Sequence, residues 1–277
     1  MRDSAVKEKK NGFRRIFSFV IPGLLCLSGC AWSKAPQPPV QWVPVEECEA
    51  LSAEKDNENA AALIQERFGG MMVQITTKEL LGSGVIYRAD EEQLFILTAA
   101  HVLDGWRGQA SVVFWDGLTV ECGEAYLSEE EDVAFLRIPY AGMIQGAGRD
   151  DREISEEINE HLSRYCKAAV DKTVFDRMQK GDTVIAMGSA GGVAENAYEG
   201  RLRESWVFVE SLSRYRMVAE VSVRPGMSGG GLFDRQGYFL GLLSAGSCED
   251  GIDEAAVVPL SIIKTQESLL LEFEKSD

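Results

Sequence analysis

The sequence predicts a mainly β protein in which two groups of short strands are followed by a C-terminal helix. Segments of four to six residues rich in Val, Ile, Leu and Phe recur at close spacing, and Gly, Asp or Glu bounds most of them. That pattern is typical of a β-barrel or a β-sandwich. The length of 277 residues allows one or two domains, and 45% hydrophobic with 26% charged residues is an ordinary globular composition.

The first 29 residues have the pattern of an export signal. Residues 2–15 carry a local net charge of +4, and the apolar stretch 16–27 that follows is shorter than the ~20 residues of a spanning helix. The sequence Leu27-Ser28-Gly29-Cys30 resembles a bacterial lipobox. That resemblance implies cleavage before Cys30 and a lipid on its thiol, which would anchor the chain to a membrane outside the cytoplasm. A plain secretory signal with a chance cysteine is the alternative.

Residues 30–66 are expected to form a tether and a short helix before the main domain, residues 67–277. Four prolines within residues 33–47 favour an extended chain, and residues 49–66 have an amphipathic pattern.

Nine segments of the domain have the apolar character of strands. They lie at residues 72–75, 84–87, 94–97, 111–114, 133–136, 183–187, 206–209, 217–221 and 238–243. Between the two groups, the charged stretch 149–180 places apolar residues four apart, which predicts a helical insertion on the surface with His161 at an exposed position. A final helix is predicted over residues 260–273, directly after Pro259.

The cysteines leave the disulfide pattern open. Cys48, Cys122, Cys166 and Cys248 allow three pairings, and free buried thiols are equally compatible with the sequence. They do not cluster as zinc ligands do, and the acidic runs 129–132 and 249–250 lack the spacing of a calcium loop. We therefore expect no metal and no cofactor, and we interpret the acidic runs as solvated surface.

Three residues at strand edges have the types needed for nucleophilic catalysis. Ser228 lies in a glycine-rich turn, Gly226-Met227-Ser228-Gly229-Gly230, whose glycines let backbone N–H groups point into a site. A serine hydroxyl needs a base and donors for the oxyanion. His101, which follows an apolar strand, is the candidate base, and Asp132, which precedes another, is the carboxylate that would orient it.

The chain order His, Asp, Ser resembles that of the trypsin-like serine peptidases, and most closely the bacterial Deg/HtrA-type protease domain without a PDZ domain. Four segments carry the resemblance, which covers about residues 70–265. They are Gly82-Ser83-Gly84-Val85-Ile86 with Leu97-Thr98-Ala99-Ala100-His101-Val102, then Glu131-Asp132-Val133-Ala134-Phe135-Leu136, then residues 181–192, and finally Arg224-Pro225-Gly226-Met227-Ser228-Gly229-Gly230 with Gly241-Leu242-Leu243-Ser244-Ala245-Gly246.

The resemblance implies an all-β fold of two antiparallel six-stranded barrels with the site in the crevice between them. It implies a serine endopeptidase acting through an acyl-enzyme on protein or peptide substrates, with Ser228 as nucleophile, His101 as general base and Asp132 as its orienting group. The backbone N–H groups of Gly226 and Ser228 would form the oxyanion hole. Ser244, Ala245 and Gly246 would bind the substrate backbone.

The same resemblance places Ser222, six residues before the nucleophile, near the base of the pocket for the side chain before the scissile bond. Because Ser222 is small and uncharged, an apolar or small side chain is the expected preference. Glu220 or Arg224 would change that preference by reaching into the pocket.

The net charge of −16 disfavours nucleic-acid partners, which bind basic surfaces. The main alternative function is a catalytically silent protease-like module that binds peptides or envelope proteins. An esterase of the α/β-hydrolase type is disfavoured because its serine follows a strand and precedes a helix. The sequence does not indicate an oligomeric state or whether the host envelope has one membrane or two.

Overall fold

The computed structural model describes residues 13–17, 40–51, 60–104, 106, 110–145, 149–189, 196–249 and 252–274, with the backbone alone at 13–17, 248–249 and 273–274. The lipidation candidate Cys30 and most of the predicted signal and tether lie outside these residues. Within the described residues, no helix has the length and apolar character needed to cross a membrane.

The N-terminal half is an antiparallel sheet that curls into a half-barrel, preceded by helix α1 (Ala60–Phe68). Its strands are β1 (Phe13–Phe17), β2 (Met72–Thr76), β3 (Leu81–Ala89), β4 (Gln93–Thr98), β5 (Ala110–Phe114), β6 (Thr119–Cys122), β7 (Glu124–Ser128) and β8 (Ala134–Pro139). They lie in the order β1-β7-β8-β4-β3-β2-β5-β6. In β5, Ala110, Val112 and Phe114 are buried while the residues between them are half-buried, the two-residue alternation of a strand with one face on the core.

The C-terminal half is a closed antiparallel barrel. Its strands are β9 (Thr183–Gly188), β10 (Asn196–Val209), β11 (Arg214–Glu220), β12 (Gly231–Asp234), β13 (Phe239–Glu249) and β14 (Ile252–Pro259). They close in the order β10-β11-β14-β13-β12-β9. Helix α4 (Leu260–Glu274) follows at once and packs its buried Ile263 and Leu270 on the core.

This architecture confirms the predicted all-β class with a C-terminal helix. Only the second half is a closed six-stranded barrel, however. The first sheet has eight strands rather than the predicted six: β2 to β8 are seven, and β1 joins the edge beside β7 as the eighth.

The segment between the two halves contains helices α2 (Asp151–Leu162) and α3 (Lys172–Arg177). Asp150 caps α2 by accepting a hydrogen bond from Arg152 N at 2.9 Å. Ile158 and Leu162 are fully buried, so the predicted apolar stripe does pack on the domain.

The expectation that His161 is exposed is wrong. Its Nδ1 lies 2.7 Å from Asp116 Oδ2, and 19% of its side chain is exposed. Tyr165 donates to the other Asp116 oxygen at 3.0 Å and stacks on Phe114 with ring centroids 4.7 Å apart. Burial alone would raise the pKa of Asp116, but the hydrogen bonds, first that of His161, lower it below its usual range. This polar cluster fixes the end of α2 to the N-terminal sheet.

A disulfide between Cys48 and Cys166 selects one of the pairings that the sequence left open. It joins the tether to the segment after α2, with Cα atoms 5.4 Å apart. Cys122 is a free, buried thiol whose pKa burial raises to about 12, and the side chain of Cys248 lies outside the described residues. The tether is therefore attached to the domain at Cys48 and also at Val43, whose N–H donates to Asn159 Oδ1 at 2.7 Å.

Candidate active site

His101 and Asp132 are brought together by the pairing of β4 with β8. In that pairing Thr98, the last residue of β4, lies opposite Ala134, the first residue of β8. The chain leaves β4 through a tight turn at Ala100–Leu103, which carries His101, while Asp132 lies just before β8. Two apolar strands in register therefore place both side chains at the same end of the sheet.

The carboxylate of Asp132 is held from three directions. Its Oδ2 lies 2.9 Å from His101 Nδ1, and its Oδ1 accepts the backbone N–H of His101 at 3.0 Å. Ser244 Oγ, which belongs to β13 of the closed C-terminal barrel, donates to Oδ2. The carboxylate therefore fixes the imidazole ring and ties the two halves together at this point.

This contact changes the pKa of both groups. The hydrogen bond that Asp132 accepts from His101 raises the pKa of His101 above its ordinary value, although burial partly opposes the rise. Burial alone would raise the pKa of Asp132, but the hydrogen bond and charge of His101, with the Ser244 hydroxyl, lower it overall. Asp132 is thus ionised at neutral pH, and a protonated imidazole is stabilised beside it.

The loop before Ser228 is a tight turn with a defined backbone. Met227 N donates to Arg224 O at 3.0 Å, and the two residues between are Pro225 and Gly226. Gly226 has φ +96°, which identifies a type II turn, with Pro at its second and Gly at its third position. Gly229 has φ +84°, and a Cβ there would lie 2.2 Å from Ser83 O. The glycines that flank Ser228 are therefore required by the backbone.

Strand β3 holds this loop against the N-terminal sheet. Ser83 N donates to Ser228 O at 2.8 Å, and Ser83 Oγ donates to Gly226 O at 2.7 Å. A Cβ on Gly82 would lie 2.6 Å from Val102 Cγ1 and 3.1 Å from Ser228 O. Gly82 therefore lies between the His101 turn and the Ser228 loop, where a side chain would not fit. The sequence pattern Gly82-Ser83-Gly84 signalled a strand here, but it did not reveal that Ser83 positions the serine loop.

A cavity of about 310 Å³ opens beside Ser228. Ala245 and Gly246 of β13 line one side of it, while Ser244 points the other way, toward Asp132. Arg224 also lines the cavity, and Ser222 donates a 2.6 Å hydrogen bond to Asp253 Oδ2 at its edge. Asp253, which the sequence reasoning missed, adds a carboxylate to this cavity.

The acidic run before β8 is less solvated than its composition indicated. Glu131 Oε2 accepts a 3.0 Å ion pair from Arg216 Nη1 of β11, whose guanidinium is buried. The interpretation of the whole run as solvated surface is therefore wrong at Glu131, which connects the N-terminal half to the closed barrel. Among the described residues, no group of three or more His, Cys, Asp or Glu side chains has the arrangement of a metal site.

Comparison with solved structures supports the fold assignment. The crystal structure of Rv3671c from M. tuberculosis H37Rv, as an inactive-form mutant, matches with a TM-score of 0.58 at 20% identity over 79% of this chain and 95% of that one. The inactive form of the Rv3671c protease gives 0.57 at 19% identity, over 82% and 98% of the two chains. The serine endoprotease from Yersinia pestis gives 0.55 at 20% identity, over 78% and 67%. No curated protein sequence matches the chain significantly.

The match to a family model defines the class of protein, a trypsin-like serine endopeptidase. The chain belongs to the trypsin-like peptidase domain family, whose model matches residues 82–242. The family assignment agrees with the resemblance on which the fold was predicted.

Proposed function

We propose that the protein cleaves peptide bonds with Ser228 as nucleophile, His101 as general base and then acid, and Asp132 as the group that orients His101. The observation that carries the proposal is the Asp132 carboxylate, which holds His101 Nδ1 at 2.9 Å. With Nδ1 donating to Asp132, the other ring nitrogen carries the lone pair that takes a proton from a serine hydroxyl.

The serine loop supplies the second requirement of acyl transfer. The type II turn and the contacts of Ser83 with Ser228 O and Gly226 O hold the backbone of this loop, which supports Gly226 N and Ser228 N as the proposed oxyanion hole. Backbone N–H groups fixed in this way stabilise the negative oxygen of a tetrahedral intermediate without reorganisation. Ser228 attacks the carbonyl carbon, His101 takes the hydroxyl proton and then delivers it to the leaving amine, and water hydrolyses the acyl-enzyme in a second cycle.

Hydrolysis of an unfolded protein tests this assignment. Purified wild-type protein is expected to cleave casein, and Ser228→Ala is expected to lose at least about 10³-fold in rate while keeping the wild-type thermal unfolding temperature. Ser163→Ala serves as the matched control and is expected to cleave at the wild-type rate, because Ser163 is an exposed residue at the end of α2 whose hydroxyl donates to Glu160 O. A folded wild-type protein that does not cleave would support the silent binding module instead.

We also propose that the mature protein is a lipoprotein of the bacterial envelope, anchored through Cys30. The lipobox-like sequence Leu27-Ser28-Gly29-Cys30 supports this proposal. Cleavage before Cys30 would remove β1 and leave β7 as a sheet edge. Metabolic labelling with palmitate tests the anchor: the wild-type chain is expected to take up label, and Cys30→Ser is expected to take up none.

A further inference from the structure

Strand β11 carries a buried arginine that forms an ion pair with Glu131. Arg216 is fully buried, and its Nη1 donates to Glu131 Oε2 at 3.0 Å and to Tyr215 O at 2.7 Å. Its Nε has no hydrogen-bond partner among the residues that the structure describes. A buried guanidinium is costly unless a carboxylate pairs with it, so the fold favours an arrangement in which Glu131 stays beside Arg216.

A second arginine of β11 contacts the residue before Glu131. Arg214 Nε donates to Glu130 O at 2.9 Å. Arg214 and Arg216 are two residues apart, so both side chains leave the same face of the strand. The pairing of β11 with β14 begins at Met217, so the two arginines lie on an end of β11 that extends past β14. This end of β11 therefore contacts the acidic run of the N-terminal half at two successive residues.

The two residues that β11 contacts come directly before Asp132. They lie in a compact turn, in which Ser128 Oγ accepts the backbone N–H of Glu131 at 3.0 Å and Val133 N donates to Glu131 O at 2.8 Å. Because this turn is held on both sides of Glu131, a shift of Glu131 would also move Asp132. The contact of the Asp132 carboxylate with His101 Nδ1, at 2.9 Å, therefore depends in part on the C-terminal barrel.

We propose that the ion pair of Arg216 with Glu131 positions the Asp132 carboxylate for its contact with the imidazole. The proposal rests on the proposed function, since peptide hydrolysis depends on that contact only if Asp132 orients His101 in the reaction. The ion pair lines the same cavity of about 530 Å³ as His101 and Asp132, so it lies beside the groups that it would position. Arg216 and Glu131 are positioning residues, because they act through Asp132 and not on the scissile bond.

Replacing Glu131 by Gln tests the proposal in peptide hydrolysis, because the amide preserves the shape and removes the charge. We expect kcat per folded molecule to fall at least about tenfold, since small displacements of catalytic groups slow a reaction strongly. We expect KM to stay within about threefold of wild type, because Glu131 does not line the cavity beside Ser228. Glu129→Gln is the matched control: it removes an exposed carboxylate of the same run and is expected to keep kcat within about twofold of wild type. Equal kcat for Glu131→Gln and Glu129→Gln overturns the proposal.

A double variant separates positioning from a loss of stability. In Glu131→Gln the buried arginine has lost its carboxylate, so the protein is expected to unfold at a lower temperature. Glu131→Gln/Arg216→Met removes both charges and is expected to recover the unfolding temperature, while kcat stays at least about tenfold below wild type. A double variant that recovers wild-type kcat shows that only the unpaired buried charge mattered, and it overturns the proposal.

A spectroscopic measurement separates this proposal from the proposed function because it needs no catalysis. The proton between His101 Nδ1 and Asp132 gives a low-field proton NMR resonance, which is followed in folded Ser228→Ala protein. Adding Glu129→Gln is expected to leave this resonance unchanged, and adding Glu131→Gln is expected to weaken it or shift it upfield. A resonance that Glu131→Gln does not change overturns the positioning role. A resonance that responds to Glu131→Gln, in a protein whose folded wild type cleaves no peptide, overturns the proposed function instead.

Discussion

Replacing Asp132 by Asn tests the arrangement of the site because it preserves shape and removes charge. Asp132 accepts hydrogen bonds from His101 Nδ1, His101 N and Ser244 Oγ. An amide in its place cannot both accept from Nδ1 and stabilise the imidazolium that forms during the reaction. We therefore expect kcat to fall about 10⁴-fold, equivalent to about 5 kcal/mol of transition-state stabilisation.

The same variant changes the pH dependence in a defined direction. His101 acts as a base only when neutral, so wild-type kcat/KM rises as pH increases through the pKa of His101, which lies above its ordinary value chiefly because of Asp132. In Asp132→Asn the inflection is expected at lower pH. The assay is a pH profile of kcat/KM on a fluorogenic peptide.

Asp104→Asn is the matched control for lost charge. Asp104 raises the pKa of His101 through its charge, whereas Asp132 also provides the hydrogen bond. We expect a smaller downward shift of the inflection and a kcat within about fivefold of wild type. The reasoning is refuted if Asp132→Asn keeps more than about a tenth of wild-type kcat, or if its inflection does not move.

Three further changes test how the fold supports the site. Reducing the disulfide Cys48–Cys166, which spans 118 residues of sequence, is expected to lower the free energy of unfolding by about 2–5 kcal/mol, measured by urea denaturation; equal midpoints in oxidised and reduced protein would contradict this. Gly82→Ala places a Cβ 2.6 Å from Val102 Cγ1 and is expected to cost about 1–3 kcal/mol of stability and to lower peptidase activity, with activity per folded molecule as the deciding measurement. Asp116→Asn is expected to lose stability at neutral pH but much less at a pH well below the ordinary carboxyl pKa. The folded-state pKa of Asp116 is depressed, so its contribution is present above the unfolded pKa and disappears as pH falls through the folded one. Equal destabilisation by Asp116→Asn at both pH values would exclude a role for its charge.

The sequence predicted those parts of the site that local patterns encode. β4 and β8 are runs of apolar residues, and His101 and Asp132 stand next to them, so their positions followed once both segments were recognised as strands. The Ser228 loop was recognisable because its glycines are required by backbone conformation.

Features that depend on pairing between distant segments were missed. Ser83 and Ser228 are 145 residues apart, and the hydrogen bond between them depends on how β3 meets the serine loop. β14 begins with Ile252 and two acidic residues, so the start of this strand lacked an apolar pattern and Asp253 could not be assigned to the cavity beside Ser228. The partial burial of His161 also depends on a distant carboxylate, Asp116.

The number of strands in the first sheet, and whether the sheet closes, could not be predicted from the sequence either, because both depend on pairing between distant segments. β6 and β7 are four and five residues long and contain glutamates, so their patterns resembled surface loops. Whether a sheet closes depends on the register of all its strands, which no single segment encodes.

Labelling with a fluorophosphonate probe tests the central claim most directly, because the probe reacts with a serine only when a base and an oxyanion hole activate it. The account predicts one label per folded wild-type molecule, located on Ser228 by mass spectrometry of the digested protein. It predicts no label on Ser228→Ala or on His101→Ala, and full labelling of Ser163→Ala. Folded wild-type protein that stays unlabelled, or a label on a different serine, would contradict the assignment of Ser228 and His101 as the reactive pair.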